Sequence, residues 1–65
     1  MIVTVNRQER DIPDNTSLAE LIATVKPTLP FAVAINLQFV PNARYAQVLL
    51  NPGDSVEIIR PVTGG

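Results

Sequence analysis

Sixty-five residues suffice for one domain, and a chain this short buries only about 60% of the surface its unfolded form exposes, which argues against a deep catalytic cleft. A hydrophobic fraction of 46% beside 17% charged residues supports a compact core, while a formal net charge of -1 argues against the extended basic surface that nucleic-acid binding requires. The chain has no Cys and no His, so thiol nucleophiles, disulfides, thiolate or imidazole metal ligands and the usual general base near neutral pH are all missing, and self-contained catalysis is not expected.

The first stretch, Met1 to Asn6, alternates around β-branched residues and predicts a strand with Val3 and Val5 on the core face and Ile2 and Thr4 on the other. Arg7-Gln8-Glu9 turns the chain, and Arg10-Asp11-Ile12 pairs back as an edge strand that Pro13 stops. After the Asp14-Asn15-Thr16 loop, Ser17 and Glu20 have the spacing of a capping box, in which each side chain satisfies a backbone N–H at a helix start. Leu18, Leu21, Ile22 and Val25 then recur at helical spacing, so one face of that helix belongs to the core, and Pro27 ends it. Lys26 reads as a solvated lysine in the last turn, favourable to the helix dipole, rather than a Schiff-base nucleophile, because Thr24-Val25-Lys26-Pro27 offers no buried pocket to lower its pKa.

Phe31 to Asn36 alternates large residues with alanines: Phe31, Val33 and Ile35 face inward, and Ala32 and Ala34 leave a smooth outer face. Its continuous apolar character predicts a central strand, a parallel partner of the first across the intervening helix. A turn at Asn36-Leu37 returns Gln38-Phe39-Val40 as a short extension, Pro41 to Ala46 makes a single helical turn opened by proline, and Gln47 to Leu50 is read as a short strand. Asn51-Pro52-Gly53-Asp54 carries the signature of a type II turn, after which Val56 to Arg60 forms the last strand, with Val56 and Ile58 inward and Glu57 and Ile59 outward. An outward Ile59 beside Ala32, Ala34, Ile2 and Phe39 gives an apolar docking patch on the open face of the sheet. Phe31 to Ile35, the longest apolar run, falls far short of the ~20 residues of a membrane helix, and Met1 opens a strand pattern and not a signal peptide. The chain thus reads as cytoplasmic, without a membrane or nucleic-acid partner.

This order of elements is that of an α+β, single-domain β-grasp, or ubiquitin-like, fold: a mixed sheet packed on one main helix, with the first and last strands adjacent in the middle. The expected domain runs over residues 1–61, followed by a flexible tail over 62–65 that ends in Gly64-Gly65. Two residues without side chains ahead of a free carboxylate can enter a narrow passage.

Ala32-Val33-Ala34-Ile35-Asn36, Val40-Pro41, the Pro52-Gly53-Asp54 turn before a β-branched strand, and the terminal Gly64-Gly65 together resemble the ubiquitin-like sulfur carriers of the ThiS/MoaD family, most closely its ThiS type from thiamin biosynthesis. The resemblance spans nearly the whole chain and is densest from Phe31 onward. It implies a protein co-substrate and not an enzyme. An E1-like adenylyltransferase of the ThiF type would adenylate the carboxylate of Gly65, sulfur would replace an oxygen to give a thiocarboxylate, and a thiazole synthase of the ThiG type would take that sulfur for the thiazole ring. Gly64 would let the backbone thread the partner's active site. No cofactor would be bound by this chain; ATP and a sulfur donor would be used by its partners. The tail departs from the family pattern at Thr63, where a small or apolar residue is expected, and the resemblance carries no role onto Arg60 or Tyr45. The small subunit of molybdopterin synthase, a ubiquitin-like protein modifier joined through Gly65 to lysine, and an inert interaction module stand as alternatives, with length favouring the thiazole branch over the molybdopterin one.

Overall fold

The computed structural model describes residues 1–27 and 30–60. Five strands, β1 (Ile2–Val5), β2 (Gln8–Asp11), β3 (Ala32–Ile35), β4 (Gln38–Val40) and β5 (Ser55–Ile59), form one sheet in the order β2-β1-β5-β3-β4. The helix α1 (Leu18–Val25) packs on one face, and a 3-10 helix (Asn42–Gln47) lies between β4 and β5 in the chain. The architecture is the mixed-sheet β-grasp that the sequence predicts, with parallel β1 and β5 side by side in its interior.

Alternation along the strands decides which face is dry. Val3, Val5, Val33 and Val56 point to the same side as Leu18 and Leu21 of α1, and with Leu50 these residues form the buried core. Ile22, Val25, Phe31, Ile35 and Ile58 close over it from partly exposed positions. An eight-residue helix is too short to be stable alone, so α1 is held by this burial, each fully buried aliphatic side chain contributing about 1.5–3 kcal/mol. Its ends are locally fixed. The Ser17 hydroxyl accepts from the Glu20 backbone N–H at 3.1 Å, the Glu20 carboxylate accepts from the Ser17 N–H at 2.9 Å, and Lys26 leaves the helix in the left-handed region (φ 54) while donating its N–H to the Ile22 carbonyl.

Four sequence expectations about the fold are corrected. β3 is not the parallel neighbour of β1, because β5 inserts between them, parallel to β1 and antiparallel to β3. The strand that fills the gap comes last in the chain, and hydrophobic patterning contains no statement of partner order. The first hairpin turns on Asn6-Arg7 alone, so β2 starts at Gln8 and Glu9 sits in a strand opposite Thr4. Both turn residues have positive φ (50 and 69), the type I′ geometry whose twist matches that of the flanking strands. Gln47 to Leu50 is no sheet strand: Gln47 ends the 3-10 helix, and the rest pairs with the segment leading into α1 through Leu18 N–H to Val48 O (2.8 Å), Leu50 N–H to Thr16 O (2.9 Å) and a single bridge of Leu49 to Ser17. Pro41 caps that 3-10 helix and is not its first residue. The turn at Asn51-Pro52-Gly53-Asp54 is as expected, with Gly53 at φ 84 and the Asp54 N–H donating to the Asn51 carbonyl at 3.1 Å.

Candidate functional site

Two features stand out against this scaffold, the uncovered face of the sheet and the chain that leaves β5 toward the terminal glycines. Gly64 and Gly65 lie outside the described residues. The other candidate residues, Ala32, Ala34, Phe39 and Ile59, are all placed, and register brings them together. Ala34 stands opposite Phe39 across β3 and β4, while Ala32 stands opposite Ile59 across β3 and β5. Paired residues project to the same side, so the four share the face remote from α1. Phe39 is 70% exposed and Ile59 51% exposed, and the alanines between them are too short to rise above the pleat. The result is a shallow apolar surface with two protruding side chains.

Ile2 belongs to the same face but not to this patch. Its carbonyl accepts the Gly53 N–H, so it stands at the start of β5, about 20 Å along the strand from Ile59. The expectation that Ile2 joins the patch fails because parity fixes a face and not a position along it. Sequence reasoning also passed over Leu37, which is 87% exposed at the tip of the β3-β4 hairpin, and Leu49, at 57%. A leucine in a two-residue turn between apolar runs was the available signal for the first. A cleft of about 360 Å³ beside the hairpin is lined by Asn36, Phe39, Arg44, Leu49 and Asp54 among others, so the Phe39 ring borders both the open face and this recess.

Charge divides the face. Glu57 is opposite Ala34, and Glu9, opposite Thr4, and Asp11, opposite Ile2, line the β2 edge. The surface is therefore apolar over β3, β4 and the end of β5, and acidic toward β2. The hairpin behind the patch is pinned by Asn36, whose Nδ2 donates to Asp54 Oδ1 (3.1 Å) and whose Oδ1 accepts the Ser55 N–H (3.0 Å); Asn6 on the opposite side of β5 accepts the Ile58 N–H at 2.8 Å. Tyr45 stacks on Phe31, with ring centroids 6.4 Å apart and planes 13° from parallel, which accounts for it as packing at the core edge. Lys26 is exposed at the end of α1. Among the described residues no cluster of three or more His, Cys, Asp or Glu side chains is placed to hold a metal ion, and no helix is long and apolar enough to cross a membrane.

The described residues thus present a shallow apolar face with an adjoining recess. A crystal structure of the thiamine biosynthesis protein ThiS from Geobacter metallireducens superposes with a TM-score of 0.86 over 100% of both chains, at 22% identity. A solution structure of a thiamine biosynthesis protein from the same organism gives 0.78 over 100% of this chain and 88% of that one, at 23% identity. These likenesses establish the fold. In sequence, the chain is 33% identical over 66 residues to a thiazole synthase of Paramagnetospirillum magneticum, an alignment that takes in all of this chain but spans only 20% of that protein's length. The model of the ThiS family matches residues 3–65, which is nearly every position and includes the terminal glycines, and the chain accordingly belongs to the ThiS family.

Proposed function

We propose that this chain carries sulfur for thiamin biosynthesis as a thiocarboxylate on Gly65. A terminal carboxyl of ordinary pKa near 3.5 is ionised at neutral pH and resists nucleophiles until one oxygen is made into a leaving group. In the proposed cycle that oxygen attacks the α-phosphorus of ATP in an E1-like adenylyltransferase of the ThiF type, and pyrophosphate departs. Sulfur from the donor, at the hydrosulfide level, then adds to the acyl carbon and AMP leaves, giving the thiocarboxylate. A thiazole synthase of the ThiG type takes the sulfur for ring formation, and an oxygen from the sulfur-accepting carbonyl or from water replaces it on the acyl carbon and regenerates the carboxylate. Gly64 and Gly65 present no Cβ to the passage.

The match of the ThiS family model through residue 65 is the observation that carries this reading. Support for the partner comes from the Paramagnetospirillum thiazole synthase, one fifth of which aligns with the whole of this chain, so that a carrier-like segment and a larger remainder share one polypeptide there. The apolar face of Ala32, Ala34, Phe39 and Ile59 is the proposed contact with both enzymes, because it is the uncovered apolar surface continuous with the strand that leads to the tail. Phe39→Asp is expected to raise the KM for the carrier in adenylation about tenfold, as loss of a central apolar anchor does, with the unfolding midpoint unchanged.

Intact-mass measurement after incubation with the ThiF-type enzyme, ATP and a sulfur donor tests the proposal. Replacement of one oxygen by sulfur on the C-terminal peptide is expected. A ladder of lysine conjugates would instead indicate a protein modifier, and an unchanged mass an inert module.

A further inference from the structure

The charged side chains of this chain all lie within the described residues, and they are distributed unevenly along the sheet. Asp11 is opposite Ile2, Asp14 lies 3.6 Å from the Met1 ammonium, Glu20 is in the first turn of α1 and Asp54 precedes β5, so four carboxylates gather where β1, β5 and α1 begin. Where these elements finish, the charge is of the other sign. Lys26 and Arg60 line a single cleft of about 270 Å³ with Asn6, Val25, Pro27 and Ile58, and Arg7 follows Asn6 in the hairpin turn at the same end. No side-chain carboxylate among the described residues lines that cleft. The nearest by register, Glu9 and Glu57, alternate onto the opposite face of the sheet. Both cations are exposed, and neither forms an ion pair among the described residues.

Two cations around one recess, without an ion-pair partner among the described residues, repel each other modestly, and beyond the favourable place of Lys26 at the end of α1 they add nothing to the fold, yet they create a local positive field in a chain of net charge -1. Their position gives that field a target. Arg60 stands five residues before Gly65, and five extended residues reach at most ~17 Å. When the tail is drawn straight into a passage, the phosphates being transferred at Gly65 are out of reach of Arg60 and Lys26, which are left at the mouth. Resting on the sulfur-carrier reading above, we propose that Lys26 and Arg60, with Arg7 beside them, form a cationic collar that docks against carboxylates around the mouth of the passage by which the adenylating enzyme admits the tail. The collar steers association and orients the tail before the apolar face seats. It acts on capture and not on the chemical step.

The test is ATP–pyrophosphate exchange by the ThiF-type enzyme, with this carrier as the varied substrate, comparing wild type, Lys26→Gln/Arg60→Gln, Arg60→Lys and Arg10→Gln. Arg10 is remote from the tail end, opposite Val3, and controls for loss of a charge as such. At low ionic strength the double variant is expected to raise KM about tenfold with kcat unchanged, Arg60→Lys to stay near wild type, and Arg10→Gln to have no effect. Raising NaCl to about 0.5 M, where the screening length drops to a few ångströms, should bring the wild-type KM up to that of the double variant. Thermal unfolding of each variant guards against an effect through the fold. A wild-type KM indifferent to salt, or a double variant no worse than Arg10→Gln, would overturn the collar and leave the sulfur-carrier function standing. Absence of any exchange with wild type would overturn that function and the collar together.

Discussion

Leu37 has a backbone conformation that leucine adopts reluctantly. Its φ of 69 places a branched side chain in the left-handed region, where Cβ crowds the following carbonyl at a cost of about 1–2 kcal/mol, and its 87% exposure means that little packing offsets it. The type I′ turn it completes favours Asn-Gly, and Asn36 already supplies the first half. Leu37→Gly is therefore expected to leave the fold intact and raise the urea midpoint, by up to about 1 kcal/mol after the greater chain entropy of glycine is subtracted. A lower midpoint would mean that the leucine is held by contacts worth more than the strain. The capping pair Ser17 and Glu20 is the opposite case, in which residue and conformation agree. Ser17→Ala should cost about 1 kcal/mol. The Glu20 carboxyl is held below its ordinary pKa, first by the Ser17 backbone N–H and then by the Ser17 hydroxyl. A carboxyl depressed in the folded state binds its proton more readily when unfolded, so its contribution is complete above the ordinary glutamate pKa and fades as pH falls through the lowered one. The stability difference between wild type and Glu20→Gln, followed by urea titration from pH 7 downward, should shrink over that acid range and vanish below it. This box was legible because its partners are three residues apart. The Asn36 to Asp54 bond was not, because 18 residues separate them and only the completed sheet brings them together.

At the scale of elements, α1 and β5 hold the molecule together. Leu18 and Leu21 are the helix residues fully buried against Val3, Val33 and Val56, and periodicity alone identified that face. Leu21→Ala is expected to cost about 2–5 kcal/mol, a large share of the total for so small a core, and would appear as a lower midpoint in thermal or urea unfolding. An unchanged midpoint would mean that the helix face has been misassigned. What periodicity could not supply is adjacency. The β-grasp order of elements correctly sets the first and last strands side by side, but the apolar run of β3 behind a helix also reads as a parallel crossover partner of β1. In the structure β5 takes that place, fastened by backbone and amide bonds from Asn6 on one side and Asn36 on the other. The misread stretch Val48 to Leu50 has the same origin. Its outer residues pack inward as strand parity predicts, but the backbone groups it meets are those leading into α1 and not a sheet edge. The face of Ala32, Ala34, Phe39 and Ile59 survived this misassignment of neighbours, since β5 brings Ile59 beside Ala32 whichever strand lies beyond it.

For the whole molecule, the proposed function divides the labour between a scaffold that only has to fold and an end that only has to be accessible. The buried core is assembled from β1, α1, β3, Leu50 and β5, while the terminal glycines have no side chains with which to join it. Stability and activation should then be separable by cutting in one place. Deleting Gly65 removes the acyl carbon on which the proposed chemistry takes place and leaves every core residue in position. The truncated chain should unfold at the same temperature as the full one and should compete with it for the adenylating enzyme, because the apolar face and the charges around Arg60 remain. It should nevertheless give no stable acyl-adenylate and take up no sulfur, since the new terminal carboxylate of Gly64 stops one residue short, a distance of about 3.3–3.6 Å. In catalysis a misplacement of 1 Å can already cost about 100-fold, so shortening the reach by a whole residue removes productive attack on the nucleotide without removing binding. Inhibition by the truncated chain, together with a normal melting curve and no exchange of its own, is the combined outcome expected. Loss of inhibition would move the recognition into the final glycine itself, and normal sulfur loading would place the chemistry elsewhere in the chain.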